Sequence, residues 1–398
     1  MRKIALLAAL ALVTGLMALG VGQALARAPL VVDDNGVQCP NAGFTTIQAA
    51  VNAASAGDQI RVCAGVYAEN VVIATSGITL KAAPGAILDG STLGNGDGIT
   101  IQSGVSGVTI KYFEIRNYNG ISSGVGNAIQ SWNCGTSDIS VIGNYMHDNA
   151  WNAILVGNEG EALHYRWSVK DNTVVNNGFY NIELTNTQDS EIKNNVVTGP
   201  GGQFGIGILL QARNFTATPG YNYLGCGEYP FPEIVASGNV ISSGNVVSGF
   251  KGLSSWGGIF LLAFSDGTGA RLTETLVSEN EAYDNNYGII VYGFGLDVVD
   301  KSRISENNAH HNPSISGVGF GDGIRLINGD DSLISDNTVT ANGRHGIRLG
   351  GGSTGNQVSD NTATGNGGFD LIHDATSTPN TWRDNTCGTK SGTDIPAC

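Results

Sequence analysis

Nine times along this chain a short phrase recurs, apolar-x-x-Asn-x-apolar, usually followed by a second Asn and then by Gly-Ile-x-Leu or a variant. Its first asparagines are Asn144, Asn172, Asn195, Asn245, Asn280, Asn307, Asn337, Asn361 and Asn385, and most steps between them are 23 to 30 residues. The step from Asn195 to Asn245 is long enough to hold two copies. A fixed period of this length marks a repeat architecture, in which each unit buries its apolar face against the next. Function must then be sought in stacked columns of residues rather than among sequence neighbours.

Between the Gly and Asn punctuation the apolar runs are short, alternate with period two and are rich in β-branched residues, as in Ile154/Val156, Ile208/Leu210, Ile259/Leu261, Ile324/Leu326 and Ile347/Leu349. They read as strands. Three short strands in each repeat of about 24 residues, with successive coils about 4.8 Å apart, make a parallel β-helix. Asn suits the turns because it tolerates left-handed geometry and its side chains can hydrogen-bond along a stack. A β-propeller needs blades of about 40 residues and tryptophan-bearing signatures, which are missing. The expected fold is therefore all-β, a single-stranded right-handed parallel β-helix with an N-terminal helical cap.

The cap is read from residues 45–55, where Ile47, Ala50, Val51 and Ala54 share one helical face and Gly57 follows as a stop. The first coil follows from Gln59. Ahead of all this, Arg2 and Lys3 precede an apolar run and Ala24-Leu25-Ala26, the pattern of a cleaved export signal. The expected organisation is thus a signal at 1–26 and one β-helix domain at 27–398, with a cap at about 39–57, repeats at about 58–386 and a C-terminal cap at about 387–398. The expected location is secreted, periplasmic or cell-surface, with no membrane span. Six cysteines follow the signal, an even number that in an exported chain favours three disulfides. Proximity suggests Cys39–Cys63, Cys134–Cys226 and Cys387–Cys398. The formal charge of −14 and the absence of Lys/Arg clusters in the sequence speak against nucleic acid as a partner.

Phe44-Thr45-Thr46-Ile47-Gln48-Ala49-Ala50-Val51, followed by Gly65-Val66-Tyr67-Ala68-Glu69-Asn70-Val71, resembles the opening of pectin methylesterases and of the wider pectate-lyase-like right-handed β-helix superfamily. The repeats from about residue 99 to 385 resemble the generic repeat of that superfamily. The resemblance implies the fold. It does not imply esterase chemistry, because no Gln-Asp-Thr or Asp-Phe-Ile-Phe segment supplies the aspartates. Gly321-Asp322-Gly323-Ile324 and Arg344-His345-Gly346-Ile347 partly resemble polygalacturonase, with Asp322 matching the second aspartate of a pair and His345 the histidine. Gly321, Tyr287 and Ile372 stand where further catalytic or basic residues of that pattern belong.

Alternation places an outward column at Thr100, Gln130, Leu155, Glu183, Leu209, Phe260, Ile290, Arg325, Arg348 and Ile372, and a second one containing Trp132, Thr185, Gln211, Leu262, Tyr292 and Asp374. The long insertions flank this strand, which marks its face as the binding face. One of them, residues 211–238, carries Phe215, Tyr221, Tyr223, Tyr229 and Phe231 as an aromatic wall or as the loop's own small core. Arg325 above Arg348 sets like charges roughly 5 Å apart, answered either by Asp322 and solvent or by the carboxylate of a bound sugar. Glycoside hydrolysis needs two carboxylates within about 5–9.5 Å. Glu183 is about 19 Å from Asp322, so a loop acid such as Asp297 or Asp300 would have to fold in. β-Elimination and C5 epimerisation require only a base and a cation beside the uronate carboxylate. His345 or Tyr287 is the expected base, Arg325 and Arg348 the cations, and Tyr292 and Trp132 further substrate contacts. Calcium is a possible cofactor through Asp330 and Asp331, though adjacent acids also suit a solvated turn. His147 and His310 fall on another strand. The expected function is a polysaccharide lyase or epimerase acting on a uronate-containing glycan, or else a non-catalytic carbohydrate-binding β-helix.

Overall fold

The computed structural model describes residues 27–120, 124–132, 135–157, 163–199, 205–215, 233–267, 269–315 and 319–398. Their strands stack into three long, wholly parallel sheets of 13, 12 and 12 strands, visited in turn once per coil. This is the right-handed parallel β-helix that the repeat implies. We call the 13-stranded sheet the first sheet; the sheet holding Tyr145–His147 is the second, and the one holding Tyr287–Gly293 the third. The core is one continuous apolar column, in which Ile154, Val156, Ile259, Leu261, Ile324, Leu326, Ile347 and Leu349 are fully buried.

The repeated asparagines form one unbroken ladder at the bend between the first and second sheets. Nδ2 of Asn144 donates to Oδ1 of Asn172 at 3.1 Å, and the pattern continues to Asn361 donating to Asn385 at 2.9 Å. Asn195 donates directly to Asn245 at 3.0 Å, so these two are successive rungs, and the long step holds one coil with an insertion rather than two copies. The residue before each ladder Asn is left-handed, among them Gly143, Asp171, Asn194, Asp336, Asp360 and Asp384. Asn and Asp tolerate that geometry better than other side chains. Each Asn then hydrogen-bonds the buried backbone of the turn, which would otherwise be left unpaired.

The cap explains the matched opening. Thr46 accepts from the Ala49 amide, and the Glu69 carboxylate accepts from the amides of Ile47 and Gln48 at 2.8 and 2.9 Å. Gln48 pairs with both backbone groups of Val72, acting as a surrogate edge strand. These motif residues are occupied in holding the helix Ile47–Ala53 over the open core, where Ile47, Ala50 and Val51 are buried. The β-helix starts earlier than expected, because Leu30–Val32 already pairs in parallel with Gln59–Val62 ahead of the helix. It also continues further, since Lys390–Ser391 still pairs with Leu371–Ile372. Cys39–Cys63 and Cys387–Cys398 clip the two ends. Cys134, Cys226 and the signal segment lie outside the described residues, as do Tyr221, Tyr223, Tyr229 and Phe231. Among the described residues no helix is long and apolar enough to cross a membrane.

Candidate functional site

The third sheet presents its outer face between two sets of loops. Its register follows the expected column residue by residue: Glu183 pairs with Leu209, Leu209 with Phe260, Phe260 with Ile290, Ile290 with Arg325, and Arg325 with Arg348. Tyr287 and Asp322 are likewise partners on adjacent strands. The sheet thus gathers Tyr287, Asp322, Arg325, His345 and Arg348 from three consecutive coils. Arg344 joins them as a residue the alternation alone did not select.

Asp322 is the hub. Its side chain is fully buried, and Oδ1 accepts from the His345 amide at 3.2 Å. Oδ2 lies 3.8 Å from Nε of Arg325 and 3.9 Å from Nη1 of Arg344. Oδ2, Arg325 Nε and Arg348 Nε are all buried with no hydrogen-bond partner in the protein. Asp322 Oδ2 and Arg325 Nε face each other as a loose ion pair, which leaves Arg348 Nε as the buried donor of the three with neither a hydrogen bond nor an ion pair. Arg325 Nη1 donates to the Tyr287 hydroxyl at 2.5 Å. Burial raises the pKa of Tyr287, against the lowering pull of the Arg325 charge. Burial, with Arg325 beside it, lowers that of Arg348, which forms no ion pair among the described residues. Three arginines against Asp322, with Asp374 a second carboxylate near Arg348, leave local positive charge in a chain whose formal charge is −14.

Two expected roles change. Asp322 does lie on this strand, but its burial withdraws it from direct contact with substrate, and it serves to position Arg325, Arg344 and the His345 backbone. His345 Nδ1 accepts from the Phe369 amide at 3.0 Å, so the neutral ring carries its proton on Nε2 and offers a donor rather than a base. Burial lowers its pKa, the Asp322 charge opposing, which favours that neutral form.

Beside the arginines the same face becomes apolar. Ile206, Leu209, Phe260 and Ile290 form an outer cluster separate from the core, and a cavity of 370 Å³ lies over it between Tyr180, Trp256, Phe264, Tyr292 and Phe294. Phe260 stacks on Tyr292 at 6.4 Å and Trp256 on Phe260 at 5.9 Å, making an aromatic row across neighbouring coils. Tyr292 is where the sequence placed it. Phe264 was missed because the strand Gly257–Ser265 runs nine residues and carries the alternation further than the motif, while Trp256 and Phe294 flank the strands and lie outside the alternation.

Other candidates fall elsewhere. Trp132 stands five coils from Tyr292 in its column, about 24 Å away, and is not brought to the arginines. Glu183 is buried four coils from Arg325, holding Asn152, Thr185 and Gln211. Neither loop acid reaches the groove: Asp297 accepts from Ser265 and the Ala270 amide, and Asp300 pairs with Arg271. His147 and His310 lie on the second sheet beside Asp148 and Glu281. Asp330 accepts from the Thr354 amide and hydroxyl. Among the described residues no three acidic, His or Cys side chains converge as a cation site.

A sequence-family model described as a right-handed beta helix region matches residues 233–387. No curated protein sequence matches the chain. Among solved structures, the A-module of the Azotobacter vinelandii mannuronan C-5 epimerase AlgE6 is 14% identical with a TM-score of 0.58, covering 88% of this chain and 90% of that one. The AlgE4 A-module from the same organism is also 14% identical, with a TM-score of 0.55 over 86% and 90%. A DFA-IIIase from Arthrobacter chlorophenolicus A6, without its lid and in complex with GF2, is 14% identical with a TM-score of 0.55 over 93% and 97%. At this identity the likeness establishes the fold.

Proposed function

We propose that the chain is an exported carbohydrate-active enzyme that abstracts the C5 proton of a uronate residue, completing either β-elimination or C5 epimerisation. The observation that carries this reading is the stacking of Arg325 on Arg348, the latter with no ion pair among the described residues, beside the Tyr287 hydroxyl. A sugar carboxylate placed on the two arginines would answer their mutual repulsion and bring its α-carbon toward Tyr287. Tyr287 first gives its own proton to solvent, forming a phenolate that burial opposes and the Arg325 charge favours, and the C5–H bond then breaks with its proton passing to the phenolate oxygen. The electron pair moves onto the carboxylate, where the arginines stabilise the enediolate. In elimination the C4–O4 bond then breaks, Nε2–H of His345 hydrogen-bonds the leaving oxygen, and the proton that Tyr287 took passes to that oxygen. In epimerisation a water on the opposite face gives a proton to C5, and the hydroxide left behind takes the abstracted proton from Tyr287. Two of the structurally similar proteins are named as mannuronan C-5 epimerases, which is in keeping with this chemistry. Two-acid hydrolysis has no support, since Glu183 and Asp322 are both buried and about 19 Å apart.

The aromatic row supplies neighbouring subsites, where pyranose faces stack on Phe260 and Tyr292 while a single carboxylate reaches the arginines. Incubation with polygalacturonate and alginate in D2O tests the shared step, because deuterium enters C5 in epimerisation and unsaturated ends absorb in elimination. Neither signal from either polymer defeats the catalytic reading. A second reading, non-catalytic glycan binding, is favoured by one observation: Tyr287 is only 5% exposed, with Phe320 edge-on against it. Binding of both polymers without turnover would select it.

A further inference from the structure

Along the sequence the lysines and arginines are scattered, yet the register of the first sheet gathers six of the chain's 20 into one column, five of them within six successive coils and the sixth, Arg383, at its far end. Arg61 pairs with Lys81 and Lys81 with Lys111; two coils later, past Ile142, Lys170 pairs with Lys193. Their inward neighbours Ile60, Leu80, Ile110, Val169 and Ile192 are buried in the core, so the cations face outward. Lys170 meets Glu191 at 2.5 Å, whereas Arg61, Lys81, Lys111 and Lys193 have no ion pair among the described residues. Further along the same column the fold places Ser242, Ser278, Ser305, Ser335 and Ser359, so nothing in the coil geometry demands cations there.

Two independent features adjoin this ladder. A cavity of 620 Å³ opens beside it, lined among others by Gln59, Arg61, Lys81, Pro84 and Tyr112. Tyr112 occupies the left-handed turn position with φ of 68°, which later coils fill with Gly143, Asp171 or Asn194. A bulky side chain is poorly suited to that conformation, and such outliers concentrate at functional positions. Tyr112 is 50% exposed, with Lys111 Nζ over its ring at 5.9 Å.

We propose that this face is a second glycan site, an anchoring track for a linear acidic polysaccharide. The anionic groups lie along Arg61, Lys81 and Lys111 at coil spacing, about 4.8 Å, and one sugar face stacks on Tyr112. It is separate from the arginine groove on the third sheet and does not depend on that groove being catalytic. A single exposed ring suits a glycan better than a single-stranded nucleic acid, which needs a stacking surface for each of several bases. The chain's acidity also disfavours nucleic acid.

The test is binding of the whole exported chain to long polygalacturonate and to alginate at two salt concentrations. It compares the parent with a Lys81→Ser/Lys111→Ser double variant and with Tyr112→Ala. Serine is what the fold itself carries further along this column, and melting curves report whether the variants remain folded. We expect the double variant to weaken long-chain binding about tenfold at low salt, with a flatter salt dependence, and to leave binding of a uronate trisaccharide unchanged. Tyr112→Ala should weaken long-chain binding at both salt concentrations. Unchanged long-chain binding by the folded double variant overturns the proposal. So does failure of the parent to bind either polymer, or tighter binding of single-stranded DNA than of the polyuronates.

Discussion

Asn337 donates its side-chain amide to Oδ1 of Asn361 at 2.9 Å, and its backbone amide reaches the same oxygen at 3.0 Å. Asn361 in turn donates to the Ile334 carbonyl at 2.9 Å, so one side chain satisfies buried groups on neighbouring coils. Asn361→Leu keeps the size but leaves those donors and acceptors unpaired. We expect a loss of about 1–3 kcal/mol in denaturant unfolding. Asn380 would be a poor control, since it accepts from Asn356 at 3.0 Å within a parallel ladder of its own. Asn52→Ala, on the exposed side of the cap helix, should cost less than about 1 kcal/mol, and equal losses would remove the ladder's special status.

His164 is buried, and its Nδ1 accepts from the amide and hydroxyl of Thr136 at 3.2 and 2.9 Å. Burial pushes its pKa down to about 4. The unfolded chain binds a proton near pH 6.5, whereas the folded one resists until about 4. Stability from this group is therefore fully present above about pH 6.5 and lost as the pH falls toward 4, by roughly 3 kcal/mol. Unfolding midpoints at pH 7, 5.5 and 4.5 should fall more steeply for the parent chain than for His164→Gln. Parallel slopes would show that other groups govern the acid limb.

Arg348 carries the clearest trade between stability and binding. It is partly buried next to Arg325 with no ion pair of its own, so Arg348→Ala relieves repulsion in the free protein. Melting temperature should hold or rise, while affinity for a uronate trisaccharide falls about tenfold in a salt-sensitive way. A drop in stability with unchanged affinity would make Arg348 a structural residue.

The aromatic row makes a different demand. Tyr292→Ala removes a ring stacked at 6.4 Å on Phe260 without touching the arginines. If sugars lie over this row, KM should rise several-fold with kcat nearly unchanged, because stacking binds ground and transition states alike. A fall in kcat alone would place Tyr292 in the chemistry instead.

Columns were legible because strand alternation is strict and the Asn turns fix its phase in every coil. That is why Phe260, Ile290, Arg325 and Arg348 could be aligned from sequence and meet in the register. Burial was not legible. Asp322 is covered by arginines, two of them from the next coil, and Asp297 and Asp300 are claimed by Ser265 and Arg271, partners distant in sequence. The tautomer of His345 likewise depends on an amide 24 residues away. The cationic column was hidden for the opposite reason: each of its members is isolated in sequence, and only stacking makes them neighbours.

The sharpest test concerns Tyr287 and His345 together. Tyr287→Phe keeps the ring against Phe320 and removes only the oxygen that Arg325 contacts at 2.5 Å. As the base, its loss should lower turnover by about 10²–10⁴ while trisaccharide affinity changes little. His345→Gln retains a side-chain donor but loses the imidazole Nε2–H that hydrogen-bonds the leaving oxygen. In a lyase it should slow formation of unsaturated ends, yet deuterium exchange at C5 should persist, because proton abstraction precedes departure of O4. In an epimerase that leaves the C4–O4 bond intact, His345→Gln should have a far smaller effect than Tyr287→Phe. Following exchange at C5 by NMR alongside product absorbance separates the two cases. Full activity in Tyr287→Phe would move the base elsewhere, and with it the assignment of this face as a catalytic one.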